Sequence, residues 1–456
     1  MLKTTKILIS ILMLLFSFSI IHAMVISPPD ELEIKAKTFV TNLADGKFDK
    51  AVEDFDSTMT SLAPPEKMAD VWNDFISQIG KYKKQLSIRS EKIEQYDIYY
   101  VTCEFESTKF DIKVVFDPSK KIAGQFFVPP LQIYEFAPPP YADSTSFRET
   151  EVTVGTGEWA LGGTLTIPVG TGPYPAVVLV HGSGPNDRDE TIGPNKPFRD
   201  IAQGLASNGI AVLRYDKRTY AYQTKMAEIY DKLTPKEEIV DDAILAAELL
   251  REYENIDPEK IYVLGHSLGG TMIPRISTYD SEIAGYIMLA GSPRPLEDLC
   301  LEQMMYIMSL DGELNEVDKE KLEEIKDQVI NVKSLRMTPD ITADKLPMNI
   351  PAAYWIYLNG YKPAIEAGKI TQPVLILAGQ RDYQVTKADY KVWQEVLASN
   401  DNFKFKSYLM LNHLFIEGEG TPQPSEYEIP GHVDKTVIDD IVAWMKNPST
   451  GKTSDN

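Results

Sequence analysis

The stretch IYVLGHSLGG, residues 261–270, constrains this chain more than any other. Ile261 to Leu264 read as a buried strand, and a helix follows directly. Between them lies the pattern G-x-S-x-G, from Gly265 to Gly269. A strand-to-helix turn that tight leaves no room for side chains on the flanking glycines. It holds Ser267 in a strained conformation, with its Oγ exposed above the sheet edge. The helix that starts there aims backbone N–H groups at developing negative charge. The fragment therefore demands alternating strands and helices around it, and it predicts Ser267 as a nucleophile.

The flanking sequence supplies that alternation. Glu151–Val154 and Leu161–Ile167 read as a hairpin around Gly155-Thr156-Gly157. Ala176–Val180 is an apolar run suited to a buried parallel strand. A helix over Phe198–Asn208, a strand over Ile210–Tyr215 and a helix over Lys236–Tyr253 follow. Gly285–Ala290, Pro373–Ala378 and Phe405–Met410 are further strands, with a closing helix near Val437–Met445. This predicts an α/β domain over residues 147–447, a mostly parallel sheet with helices on both faces. Residues 448–456 are expected as a disordered tail. The surplus between the strands, about 293–369, reads as a helical cap. It carries Met304, Met305, Tyr306, Ile307 and Met308, a charged helix from Val317 to Val332, then Tyr354, Trp355, Ile356 and Tyr357. Such residues suit an adaptable apolar pocket; helices merely packing on the sheet would use them equally.

The rest of the chain is organised differently. Lys3 and Lys6, the apolar run Ile7–Ile21 and a small residue at Ala23 predict a secretory signal peptide over residues 1–23, hence a secreted or extracytoplasmic protein. An uncleaved anchor is the alternative. No later segment is long and apolar enough to span a membrane. From Asp30 to about Lys84 the apolar spacing is helical, with Leu32, Ala36, Phe39, Val40 and Leu43 on one face. Alternation of period two then takes over through Tyr99–Phe105 and Phe110–Phe116, with a further strand over Gln125–Val128. Residues 30–128 thus form a small α+β domain, its Tyr and Phe residues filling core and sheet face. Prolines 129, 130, 138, 139 and 140 mark residues 129–146 as a stiff linker. Cys103 and Cys300 fall in different domains and read as unpaired, buried thiols. A formal charge of −21, from 46 Lys+Arg against 67 Asp+Glu, argues against nucleic acid as a partner and against docking to anionic lipid.

A serine hydroxyl needs a base, and the chain has five histidines. His22 lies in the leader, His181 at the end of an earlier strand and His266 inside the turn. His413 follows the last strand, and His432 lies farther on. The order nucleophile, acid, base selects His413, with His432 as rival. It selects Asp382, just past the strand Pro373–Ala378, as the acid that orients the imidazole, with Asp389 as fallback. Two N–H groups must hold the oxyanion. One is Leu268, after the nucleophile. The other is Ser183, or its neighbour Gly182, in the loop after the strand Ala176–Val180. Asp187, Arg188 and Asp189 are candidates for the pocket rim, while Asp216 and Arg218 read as bracing. No metal or organic cofactor is implied, because the histidines lack metal-site spacing.

Together HGSGPNDRDE (181–190), PFRDIAQGLASNGIAVLRYDKRT (197–219), GHSLGG (265–270), GQRDYQV (379–385) and NHLF (412–415) resemble the α/β-hydrolase serine esterases of the EstD type. The resemblance spans residues 145–446. It implies a serine carboxylesterase with its catalytic residues at Ser267, Asp382 and His413, acting on small-molecule esters of short to medium chain. The first domain resembles the nuclear-transport-factor-like or cystatin-like domains that precede some exported bacterial hydrolases. Two other functions compete: a serine peptidase of the same fold acting on small peptides, and a non-catalytic envelope binding protein.

Overall fold

The computed structural model describes residues 31–448, apart from 94, 131–135, 311, 313 and 335–339. The expected leader and all but the first residue of the expected tail lie outside the described residues. The chain divides into two compact units between Ile133 and Tyr134, inside the proline-rich stretch.

In the first unit, α1 (Glu31–Ala44) buries the stripe read from the sequence, Leu32, Ala36, Phe39, Val40 and Leu43. α2 (Pro65–Ile79) buries Met68, Trp72, Phe75 and Ile79. Both stripes share one core with a 4-stranded antiparallel sheet of β1 (Tyr82–Ile93), β2 (Tyr96–Phe105), β3 (Lys109–Phe116) and β4 (Ile122–Val128), in that order. The Trp72 ring lies within 6.4 Å of Phe75, Tyr82, Phe105 and Phe127. β1 departs from the expected helix, which ran on to Lys84. It is an edge strand with no fully buried residue, and register shifts at Tyr82/Lys84 and Gln85/Ser87 break its alternation.

The second unit is built on an 8-stranded sheet. Its strands are β5 (Phe147–Val154), β6 (Leu161–Pro168), β7 (Tyr174–Val180), β8 (Ala211–Tyr215), β9 (Ile256–His266), β10 (Gly285–Leu289), β11 (Val374–Gly379) and β12 (Phe403–Tyr408). The spatial order is β12-β11-β10-β9-β7-β8-β6-β5. β5 and β6 are antiparallel to their neighbours, and the rest of the sheet is parallel. Successive residues of the central strands enter opposite cores. Val178 and Val263 lie in one, Val177 and Leu264 in the other. That is why these strands read as unbroken apolar runs. Helices α3 (Pro197–Ala206), α4 (Asp241–Arg251), α5 (Leu268–Ile276), α6 (Leu296–Ser309), α7 (Glu316–Lys333), α8 (Ala352–Leu358), α9 (Lys387–Leu397) and α10 (Lys435–Lys446) complete the unit. α6, α7 and α8 lie in the insertion expected over residues 293–369 and enclose a small core of Cys300, Val332, Leu346 and Trp355.

Three local differences have physical causes. β12 ends two residues before the expected strand, since Leu409 and Met410 are 69% and 43% exposed and extend the apolar run without entering the core. The helix expected from Lys236 opens as a π-turn over Lys236–Val240. The later part of the expected linker is not a free spacer: Tyr141 Oη donates to Val433 O at 2.6 Å and Asp143 N to Ser207 Oγ at 2.9 Å. Cys103 and Cys300 are free and buried, and burial pushes both thiols up to about 12. No helix among the described residues is long and apolar enough to cross a membrane.

Candidate active site

β9 ends at His266 and α5 begins at Leu268, so Ser267 alone makes the turn. Its φ is 51° and its ψ is −116°. A side chain held there costs on the order of 1–3 kcal/mol. Close backbone packing holds it. A Cβ on Gly265 would overlap the Gly269 backbone, and one on Gly269 would overlap Val180 O. Ser267 remains partly exposed.

The expected acid and base meet. Asp382 lies in the turn after β11, where its Oδ1 accepts from Gln384 N at 2.7 Å and Val385 N at 2.9 Å. Its Oδ2 lies 2.6 Å from His413 Nδ1, and both residues are buried. His413 sits in a tight turn after β12. There Asn412 Oδ1 accepts from Leu414 N and Ile416 N. The third link is not closed: no hydrogen bond joins Ser267 Oγ to His413 among the described residues. His266, the chain neighbour of Ser267, has its Nε2 2.9 Å from His413 O and its ring 4.8 Å from that of His413. Such hydrogen bonds are often long in a free enzyme and tighten with substrate.

The loop after β7 lies against the turn. A Cβ on Gly182 would come within 3.1 Å of Ser267 Cβ. The Gly182 N–H is already engaged, donating to Glu190 Oε1 at 2.6 Å. The Ser183 and Leu268 amides have no hydrogen-bond partner among the described residues. Glu190 Oε2 also lies 2.9 Å from His266 Nδ1, an ion-pair distance without hydrogen-bond alignment. Burial disfavours charge on both groups, yet their mutual attraction prevails. The Glu190 carboxyl is lowered and the His266 imidazole raised.

The other sequence candidates are bracing. His432 pairs with Asp200 at 3.1 Å, not with Asp382. His181 packs between Phe198 and Tyr215 with Nε2 3.0 Å from Asp187 O. Burial lowers its pKa to about 4. Asp389 caps α9 through Thr386 N and binds Arg294. Asp216 binds Arg188, and Arg218 binds Asp242. Arg188 and Asp189 line a polar cavity of about 260 Å³ with Glu149, Glu151, Thr164, Arg199 and Arg214, where most charges are locked in pairs. Sequence reasoning missed Glu190 and Lys217, which bind Gly182, and Glu238, which pairs with Lys217. No spacing rule marks them, and their only signal is charge in stretches otherwise destined for burial.

The insertion reaches this region. The Tyr306 ring in α6 stacks on Tyr383 at 5.5 Å, and Gln303 Nε2 donates to Gln384 O. Tyr306 and Ile307 pack on the cluster of Tyr383 and Leu414, the residues that follow Asp382 and His413.

Residues 173–419 match the family described as serine aminopeptidase, S33, and residues 36–124 match a protein family of unknown function, DUF3887. The chain is 38% identical to Esterase EstD of Thermotoga maritima over 411 residues, covering 90% of this chain and 94% of that protein. Among solved structures it is similar to the acylaminoacyl peptidase of Pyrococcus horikoshii, with 15% identity, TM-score 0.44, and coverage of 82% of this chain and 52% of that one. It is also similar to Est1E from Butyrivibrio proteoclasticus, with 15% identity, TM-score 0.41, and coverage of 65% and 98%. On its sheet order and these sequence matches, the chain belongs to the serine hydrolases of the α/β-hydrolase fold, in the group that includes Esterase EstD.

Proposed function

We propose that this protein is a serine carboxylesterase that works outside the cytoplasm on short- to medium-chain esters. Ser267 Oγ attacks the ester carbonyl while His413 takes its proton. Asp382 fixes the imidazole tautomer and stabilises the imidazolium. The Leu268 and Ser183 amides receive the oxyanion, since the Gly182 amide is spent on Glu190. His413 then protonates the leaving alcohol, which departs and leaves an acyl-Ser267 ester. Water, deprotonated by His413, attacks that ester and releases the carboxylic acid.

The observation that carries this reading is the buried Asp382–His413 contact, joined through His266 to the strained Ser267. Ester substrates are favoured by the likeness to Esterase EstD. The partly buried Met304, Met308 and Ile307 of α6 favour an apolar acyl group. Export rests on the apolar leader.

The test is hydrolysis of p-nitrophenyl esters from acetate to laurate, with fluorophosphonate labelling of Ser267. Turnover should peak at butyrate to octanoate, and Ser267→Ala should lose both turnover and label. A Ser267→Ala protein that keeps full turnover sinks the reading. Peptide hydrolysis is a second reading, favoured by the description of the matched family. Faster cleavage of aminoacyl p-nitroanilides than of esters would establish it instead.

A further inference from the structure

The peptide between Gly182 and Ser183 is held through its carbonyl oxygen. Gly182 O accepts from Lys217 Nζ at 2.7 Å and from Asn186 Nδ2 at 3.3 Å. In a trans peptide the C=O of one residue and the N–H of the next share a plane and point in opposite directions. Whatever fixes Gly182 O therefore aims Ser183 N–H. A cation on that oxygen also polarises the peptide and strengthens the N–H as a donor.

The cation is placed at some expense. Lys217 is 2% exposed, and its counter-charge is Glu238 Oε1 at 2.6 Å. Removing two charges from water costs about as much as or more than their attraction returns, so such a pair is a poor source of stability. Glu238 lies in the π-turn that opens α4, a distortion frequent at functional sites. Tyr354 of the insertion is buried beside it. Burial, then the Glu238 carboxylate, hold that phenol well above its ordinary range.

We propose that Lys217 is a positioning residue for ester hydrolysis: bound to Gly182 O and held by Glu238, it aims and polarises the Ser183 amide that receives the oxyanion. The proposal rests on the reading of Ser183 given above. It extends that site to a buried charge pair in contact with the insertion.

The test compares wild type with Lys217→Met, and with Lys217→Met/Glu238→Gln, which leaves no unpaired buried carboxylate if the single variant folds poorly. Four readouts are needed: kcat and KM for p-nitrophenyl butyrate, Ki for an alkyl boronic acid that forms a tetrahedral adduct on serine, and Tm. Losing a whole oxyanion donor costs about 10²–10³ in kcat. Weakening one should cost about 10-fold or more, with KM within about twofold and the boronate Ki rising by the same factor as kcat falls. The double variant should show the same kinetic loss whatever its Tm. A folded variant with kcat within about threefold of wild type overturns the proposal, as does a kcat loss that tracks Tm and leaves Ki unchanged. Ser267→Ala separates the two levels: if it keeps turnover, the underlying catalytic reading fails, and this proposal with it, whatever Lys217→Met does.

Discussion

Asp382→Asn isolates the contribution of one carboxylate oxygen. Oδ1 of Asp382 faces two donors, Gln384 N at 2.7 Å and Val385 N at 2.9 Å. Asparagine must keep its carbonyl oxygen there, because an NH₂ cannot accept from an N–H. The NH₂ is then forced to the Oδ2 position, 2.6 Å from His413 Nδ1. Nδ1 now has to accept, so the ring proton moves to Nε2. That tautomer cannot take the proton of Ser267. In triads of this kind the substitution costs about 10⁴ in kcat, or about 5.4 kcal/mol of transition-state stabilisation. The loop keeps both backbone bonds, so the fold should lose only about 1–2 kcal/mol for the weakened contact to His413. The assay is butyrate ester hydrolysis, normalised by the fraction of enzyme that a fluorophosphonate labels on long exposure. Asp389→Asn is the control. Asp389 accepts from Thr386 N at 2.8 Å and from Arg294, so its loss should cost about 1 kcal/mol of stability and little kcat. The reasoning is refuted if Asp382→Asn keeps kcat within about tenfold of wild type, or if Asp389→Asn shows the larger loss.

Three further outcomes follow from the packing and the buried charge. Gly265→Ala places a Cβ against the Gly269 backbone and 2.6 Å from Gly270 N, where nothing can yield. It should lower stability by about 1–3 kcal/mol or more in urea unfolding; an unchanged midpoint would show that the elbow is looser than its contacts imply. His181 is held neutral by burial, its pKa lowered from 6.5 to about 4. The unfolded chain binds that proton first, so the residue removes stability as pH falls from 6.5 towards about 4, and has no effect above that window. His181→Gln should therefore flatten the loss of Tm between pH 7 and pH 4.5, and parallel curves for the two proteins would contradict this. Trp355 is fully buried in the core of the insertion. Trp355→Ala should cost about 3–5 kcal/mol, seen as faster amide exchange across α7 and α8, and protection equal to wild type there would refute it.

The parts legible in the sequence share one property: they are encoded by backbone sterics or by the period of burial. Val177 and Val178 face different cores, so the strand reads as a continuous apolar run. The elbow reads from Gly265 and Gly269 because no other residue fits against that backbone. The contact between Asp382 and His413 could be anticipated because chain order and strand ends place a carboxylate and an imidazole there. Legibility fails where period and burial part company. The register shifts of β1 hide its alternation. Leu409 and Met410 lengthen an apolar run that solvent in fact covers. Proline content suggested a spacer over residues 129–146, but it says nothing of a hydrogen bond such as that from Tyr141 to Val433.

The two sides of the candidate oxyanion site are held by different physics, and this decides how each responds to substitution. Leu268 is placed by close contact: its turn is fixed by Gly265 and Gly269 pressed on backbone. Contact of that kind is stiff, local in sequence and part of the fold, so breaking it costs stability first. Ser183 is placed by charge: the preceding Gly182 is held at its N–H by Glu190 and at its carbonyl oxygen by Lys217. Those residues lie 8 and 35 positions from Gly182, and no motif links them. Replacing both partners of a buried pair costs little net stability, whereas removing one leaves an unpaired charge, so replacing Lys217 and Glu238 together should cost catalysis first. Glycine substitutions in the turn and the paired replacement Lys217→Met/Glu238→Gln behind Gly182 should therefore separate. The former should move the urea midpoint at a given kcat, and the latter should move kcat and boronate affinity at a given midpoint. If both sets of variants fell on one line of kcat against stability, the division between a sterically held and an electrostatically held donor would be wrong.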